Sequence, residues 1–235
     1  MRQQRPGTRR VAIGLTALLA VTSAADVTAA APSVLARRAL AACHRASLVA
    51  ADAAAAQLEE GIDLAEQAID DRAEDPAAHF ALFCTLAKQI RRRGIGLSTL
   101  FDLARARAAL ERSLALDPGY VDALAAKGAV LYYAPHFMGG DVDAGERLLR
   151  RVLALDPDNP IRLVLVDLLV YREQVDEARR EAERSIAAVR TSEDPEAIAA
   201  ASSLLEHLCE RGWPLEVGAV LRTVCPSGAF SVAGG

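Results

Sequence analysis

Two stretches, ALERSLALDP (Ala109 to Pro118) and LLRRVLALDP (Leu148 to Pro157), close on the same letters and set the frame for the chain. In each, apolar residues recur at helical spacing, as in Leu103, Ala106, Leu110 and Leu114, or Leu148, Val152 and Leu155. Proline cannot continue the helix before it, yet its fixed φ suits the first turn of the next one. The preceding aspartate can accept hydrogen bonds from the free amides at that helix start. Each Leu-Asp-Pro therefore predicts one helix ending and another beginning. The dipeptide also occurs at Asp75-Pro76, after the looser AEQAIDDRAEDP (Ala65 to Pro76), and at Asp194-Pro195. The four prolines are 42, 39 and 38 residues apart, so the chain repeats itself rather than dividing into two domains.

Working outward, a second apolar helix pattern follows each Asp-Pro. The expected series is residues 33–50 with 52–72, 76–93 with 100–116, 119–134 with 141–155, 159–172 with 174–190, and a less regular 195–211 with 213–224. No segment alternates with period two. The chain of 235 residues is 52% hydrophobic, largely through alanine, and only 4% aromatic. That composition suits close-packed helices rather than a sheet, so the fold class read here is all-α, in about five antiparallel helix pairs. Net charge is −4. The densest basic run, Arg91 to Arg93, reads as a helix end with cations near its C-terminal dipole, and nucleic acid is not indicated.

Arg2, Arg5, Arg9 and Arg10 precede the apolar stretch VAIGLTALLAV (Val11 to Val21), which is short for a membrane span. With small residues following, residues 1–30 read as a signal peptide cleaved after about Ala25 or Ala30, or else as a retained anchor. Export to a bacterial periplasm or beyond follows, with no membrane span after cleavage. Residues 31–224 form the helical repeat domain, and 225–235 a flexible glycine-rich tail. Leu40-Ala41-Ala42-Cys43 spells a lipoprotein box but stands too far behind the apolar segment to serve as one. An oxidising compartment permits disulfides among Cys43, Cys84, Cys209 and Cys225. Proximity favours Cys209–Cys225, worth about 3 kcal/mol, and Cys43–Cys84 would join neighbouring first helices. The alternative is four buried thiols.

The spacing resembles tetratricopeptide repeats. Leu124, Gly128 and Leu131 fall on the first-helix signature counted from Pro118, and Gly145, Leu149 and Val152 on the second-helix positions counted from Pro157. Ala106 and Leu110 fit similarly, and YREQVDEARREAERSI (Tyr171 to Ile186) reads like a second-helix consensus. The resemblance covers residues 60–190 and implies a right-handed solenoid of helical hairpins. Against the family period of 34, the middle units carry extra residues at RRRGIGLST and APHFMGG. APHFMGGD (Ala134 to Asp141) between two such helices is moreover similar to exported bacterial repeat proteins, among them the T component associated with TRAP transporters. That narrower resemblance implies ligand handling beside a binding partner.

Chemistry finds little foothold. No nucleophile elbow or phosphate loop occurs. His44, His79, His136 and His207 do not share a helix face, so no metal, cofactor or catalytic group is assigned. Asp141 is expected to cap a helix at 142, with Pro135 ending the one before and Gly139 and Gly140 permitting positive φ. Asp167, inside LVLVDLLVY, must either pair, with Arg162 as the nearby cation, or face a ligand. First helices would line a concave face. The candidate groove is therefore Phe80, Phe83, Asp122, Tyr132, Tyr133, His136, Phe137, Met138, Asp167 and Tyr171, each aromatic having hairpin packing as its alternative task. The functional expectation is a non-catalytic scaffold that grips a protein or peptide partner, or alternatively a transport accessory holding a small amphipathic ligand.

Overall fold

The first Asp-Pro step does what its chemistry dictates. In the computed structural model, which describes residues 31–94 and 96–191, Pro76 opens a helix and the Asp75 carboxylate accepts the Ala77 amide at 3.0 Å. The later steps are built differently. Asp117 accepts the Gly119 amide at 2.8 Å in a local turn, and the next helix starts only at Val121. At Asp156-Pro157 the Asp156 carboxylate holds the Asn159 side chain at 3.0 Å, and the helix begins at Arg162. The aspartate caps the next helix only at the first step, where the earlier helix has already ended at Asp71; at the later steps the earlier helix runs to Leu116 and Leu155, directly before Asp-Pro.

The described residues are helical without a strand. They form α1 (Val34–Arg45), α2 (Ala51–Asp71), α3 (Pro76–Arg93), α4 (Leu100–Leu116), α5 (Val121–Tyr133), α6 (Val142–Leu155), α7 (Arg162–Tyr171) and α8 (Val175–Thr191). Short 3₁₀ turns, Leu97–Thr99 and His136–Met138, precede α4 and α6. Helices pair as α1–α2, α3–α4, α5–α6 and α7–α8, with α3 also lying on both α1 and α2. Short connections between side-by-side helices make each pair antiparallel. The expected fifth pair, the cleavable segment, the tail, Cys209 and Cys225 lie outside the described residues.

Small residues let these helices approach closely. Ala36, Ala39, Ala42, Ala65, Ala68, Ala77, Ala78 and Ala81 are all buried where α1, α2 and α3 meet. In the third hairpin Gly128 and Gly145 face each other, and a Cβ on Gly145 would stand 3.0 Å from the Gly128 carbonyl. The fourth hairpin uses bulk instead, with Leu163, Leu165, Val166, Leu168 and Leu169 packed on Ala178, Ala182 and Ile186. Buried Arg162 is held there by Glu181 and the Pro157 carbonyl.

A disulfide joins Cys43 of α1 to Cys84 of α3, with their Cα atoms 6.1 Å apart. Closing a loop of 41 residues stabilises the fold by about 4 kcal/mol through the unfolded chain's lost entropy. Polar ties fix which ends lie together. Lys88 reaches the Cys43 carbonyl and the Ser47 hydroxyl, each at 2.7 Å, and Arg92 the Ala51 carbonyl at 2.6 Å. Arg107 reaches the Met138 carbonyl at 3.5 Å, and Arg172 pairs with Asp143 and Glu146. The turns inside the four hairpins therefore gather at one end of the molecule. At the other, Arg72 donates to the Ala31 carbonyl at 2.8 Å, and the Ser33 amide to Asp75 at 2.7 Å.

Candidate functional site

The first helices α1, α3 and α5 bring one group of side chains together. Phe80 of α3 is buried against Leu110 and Ala123. Its ring meets Tyr120 edge-on at 5.4 Å and lies 6.0 Å from Phe83. Phe80 therefore fills the joint between the second and third hairpins, the packing task that was its alternative, and Phe83 and Leu40 flank it half-buried. The Tyr120 phenol is pushed well above its ordinary value by burial, with Asp122, Asp75 and Asp117 adding to the effect.

Asp122 lies in the first turn of α5. The residue is exposed to water, yet the protein around it raises its carboxyl above the usual range. Burial is the larger cause. Asp156 adds to it, whereas the charge of His44 works the other way. Those influences bring the end of α1 and the end of α6 into the field of Asp122. A carboxylate held there is poised to accept a hydrogen bond from a ligand or partner, which would relieve its own desolvation.

The second group sits at the hairpin-turn end. Tyr132 stacks obliquely on Tyr133 at 4.6 Å and meets Tyr171 at 6.2 Å. His136, Phe137 and Met138 make up the 3₁₀ turn, and the His136 ring nitrogen lies 3.3 Å from the Gly140 carbonyl. Phe137 stands almost wholly in water, 87% exposed, while Met138 is half-buried. The turn owes its shape to two glycines with different duties. Gly139 adopts φ +90°, whereas a Cβ on Gly140 would lie 1.8 Å from the Ala134 carbonyl oxygen. Positive φ was expected of both and is found only at Gly139. Asp141 caps α6, accepting the Ala144 amide at 2.9 Å.

Asp167 belongs to neither group, being buried within α7, and the guanidinium of Arg162 is engaged by Glu181. The ten candidate residues thus divide between a wall around Asp122 and a set of tips around Tyr132, with Phe80 and Asp167 inside the protein. His44, Tyr120 and Asp156 were not among them. Tyr120 carried a signal, as an aromatic set two residues beyond Asp-Pro. His44 carried none, because its influence on Asp122 arises only once α1 and α5 are folded into one body. Among the described residues no three His, Cys, Asp or Glu side chains gather so as to hold a metal ion.

The family model described as TRAP transporter T-component matches residues 22–197. The chain belongs to the TRAP transporter T-component family. The matched span is about three quarters of the sequence and takes in all four hairpins, Asp122 and the tyrosine tips. No curated protein matches the chain. Membership associates this T-component with a transport system. Among its described residues no helix is long and apolar enough to cross a membrane.

Proposed function

We propose that this T-component is an exported, non-catalytic accessory of a TRAP-type transport system. Its hairpins stack as a right-handed solenoid whose first-helix wall, centred on Asp122, receives a small amphipathic ligand or a partner subunit. The carrying observation is the family match across all four hairpins, which favours a transport accessory over a general scaffold. Export is supported by the basic and apolar N-terminal stretch, Arg2 to Val21, and by the Cys43–Cys84 disulfide, a bond suited to an oxidising compartment.

Asp122 supports the binding role because it is poorly placed for stability. An acid whose folded pKa is raised loses stability as pH climbs from its unfolded value through its folded one. Asp122→Asn should therefore keep the fold and melt slightly higher above the carboxylate range, with no gain at lower pH. The functional test is capture of the tagged full-length chain from periplasmic extract. TRAP transporter components should be recovered with the parent protein and be depleted with Asp122→Asn. Recovery of unrelated proteins alone, unaffected by the substitution, would return the chain to the scaffold role.

A further inference from the structure

The end of the molecule that gathers the hairpin turns is also where large apolar side chains stand in water. On the α1–α2 turn Leu48 is 54% and Val49 42% exposed. On the α3–α4 turn Leu97 is 92%, Leu100 49% and Phe101 72% exposed. A single exposed leucine needs no explanation, but a cluster on adjacent turns does. These turns are adjacent because Lys88 and Arg92 of α3 bind backbone carbonyls at Cys43 and Ala51. At the opposite end, among the described residues, only Val34 and Leu155 are comparable.

Charge distinguishes this cluster further. Arg45, Arg91, Arg92 and Arg93 are exposed around it, and Lys88 is half-exposed beside them. Against these cations and Arg105 stand Asp52, Glu59 at 3.9 Å from Arg93, Glu60, and Asp102 at 3.8 Å from Arg105. The balance is positive. At the third and fourth turns Asp141, Asp143, Glu146 and Glu173 outnumber Arg107 and Arg172, so the basic, apolar region is confined to the first two.

We propose that this edge docks peripherally on an anionic lipid surface, with Leu48, Leu97 and Phe101 entering the acyl boundary and Arg91 to Arg93 meeting headgroup phosphates. Apolar tips on separate turns are protrusions. A lipid surface yields around protrusions, whereas a protein partner would need a matching pit for each. Arginine stems lie along apolar surface while their heads stay wet, which suits a triplet directly before the tips. Each cation near an anionic leaflet strengthens binding about fivefold. Docking of this kind goes beyond the proposed accessory role and does not depend on it.

The test is flotation of the folded protein with phosphatidylcholine vesicles, with and without about 30 mol% phosphatidylglycerol, in about 0.1 M salt, where the Debye length is about 10 Å. Binding should favour the anionic vesicles at least about tenfold. Leu97→Ser with Phe101→Ser should weaken it at least about tenfold, with an unchanged melt since both side chains stand in water. Replacing Arg91 and Arg93 by glutamine, which leaves the Arg92 tie to Ala51 intact, should remove the preference for anionic lipid. Absence of flotation, or flotation indifferent to both sets of changes, would overturn the proposal. So would loss of transporter-component capture by the Leu97/Phe101 variant when the parent protein does not float, since the edge would then serve a protein.

Discussion

Asp75 is enclosed by donors from three places in the chain. Its carboxylate accepts the Ser33 amide at 2.7 Å, Arg72 at 2.6 Å and the Ala77 amide at 3.0 Å, and the residue is 1% exposed. Burial alone would raise its pKa, but the Ser33 amide and hydroxyl and the Arg72 charge together outweigh burial and hold it low. With a depressed folded pKa, its contribution is present above the unfolded value and is lost as pH falls through the folded one. Asp75→Ala should cost about 2–4 kcal/mol at neutral pH, since three donors lose their acceptor. Denaturant titrations of parent and variant should converge as pH drops below the carboxylate range. Persistence of the full difference in acid would show that the loss is not electrostatic. The capping part of this role is legible in the letters Asp-Pro. The part that ties down Ser33 is not, because that contact spans 42 residues and exists only once α1 lies on α3. Asp122 teaches the same: its letter is ordinary, and the charges that act on it, His44 and Asp156, come from distant parts of the chain.

At the scale of elements, periodicity locates each of the eight helices, and the differences lie at their ends. Residues 33–50 were expected as one helix, yet α1 stops at Arg45, with the chain turning through Ala46 to Ala50 before α2. That turn spends Lys88 on the Cys43 carbonyl, a tie no local pattern announces. The close approach of α5 and α6 was legible as Gly128 and Gly145 on small positions, and the turn between them as Gly139-Gly140, but whether the turn or the helix pair better tolerates a methyl group was not. The distances order them. A Cβ on Gly140 would meet the Ala134 carbonyl oxygen at 1.8 Å, a backbone atom with nowhere to go, whereas one on Gly145 would meet the Gly128 carbonyl at 3.0 Å. Gly140→Ala should therefore cost about 2–3 kcal/mol by overpacking. Gly145→Ala should cost less, about 1 kcal/mol, because the helix gains about as much from alanine as it loses to part of the clash. Thermal melts of the two variants give the order directly, and the reverse order would mean that the 135–141 turn yields more easily than the helix pair.

For the whole molecule the question is how firmly the hairpins hold one another. The first two are bound by the Cys43–Cys84 bond and by α3 lying on both α1 and α2. The last two are bound by Arg172 to Asp143 and Glu146, and by Arg150 to Glu177 at 2.8 Å. Between these halves α4 and α5 meet sparingly, and the joint rests on Phe80 with Tyr120, Leu110 and Ala123, beside one ion pair, Lys127 to Glu111 at 2.8 Å. A solenoid read from sequence treats every junction alike, since each unit carries the same Asp-Pro punctuation. The structure makes them unequal, because a disulfide and an arginine network reinforce only the outer two. Phe80→Ala should cost about 3–4 kcal/mol, as for other buried phenylalanines, and the loss should fall on coupling between the halves. Hydrogen exchange should then show α5 to α8 opening at lower free energy than α1 to α3, with the disulfide-bound half keeping its protection. Uniform loss of protection across all eight helices would mean that the fold is one cooperative unit and that Phe80 supports it everywhere.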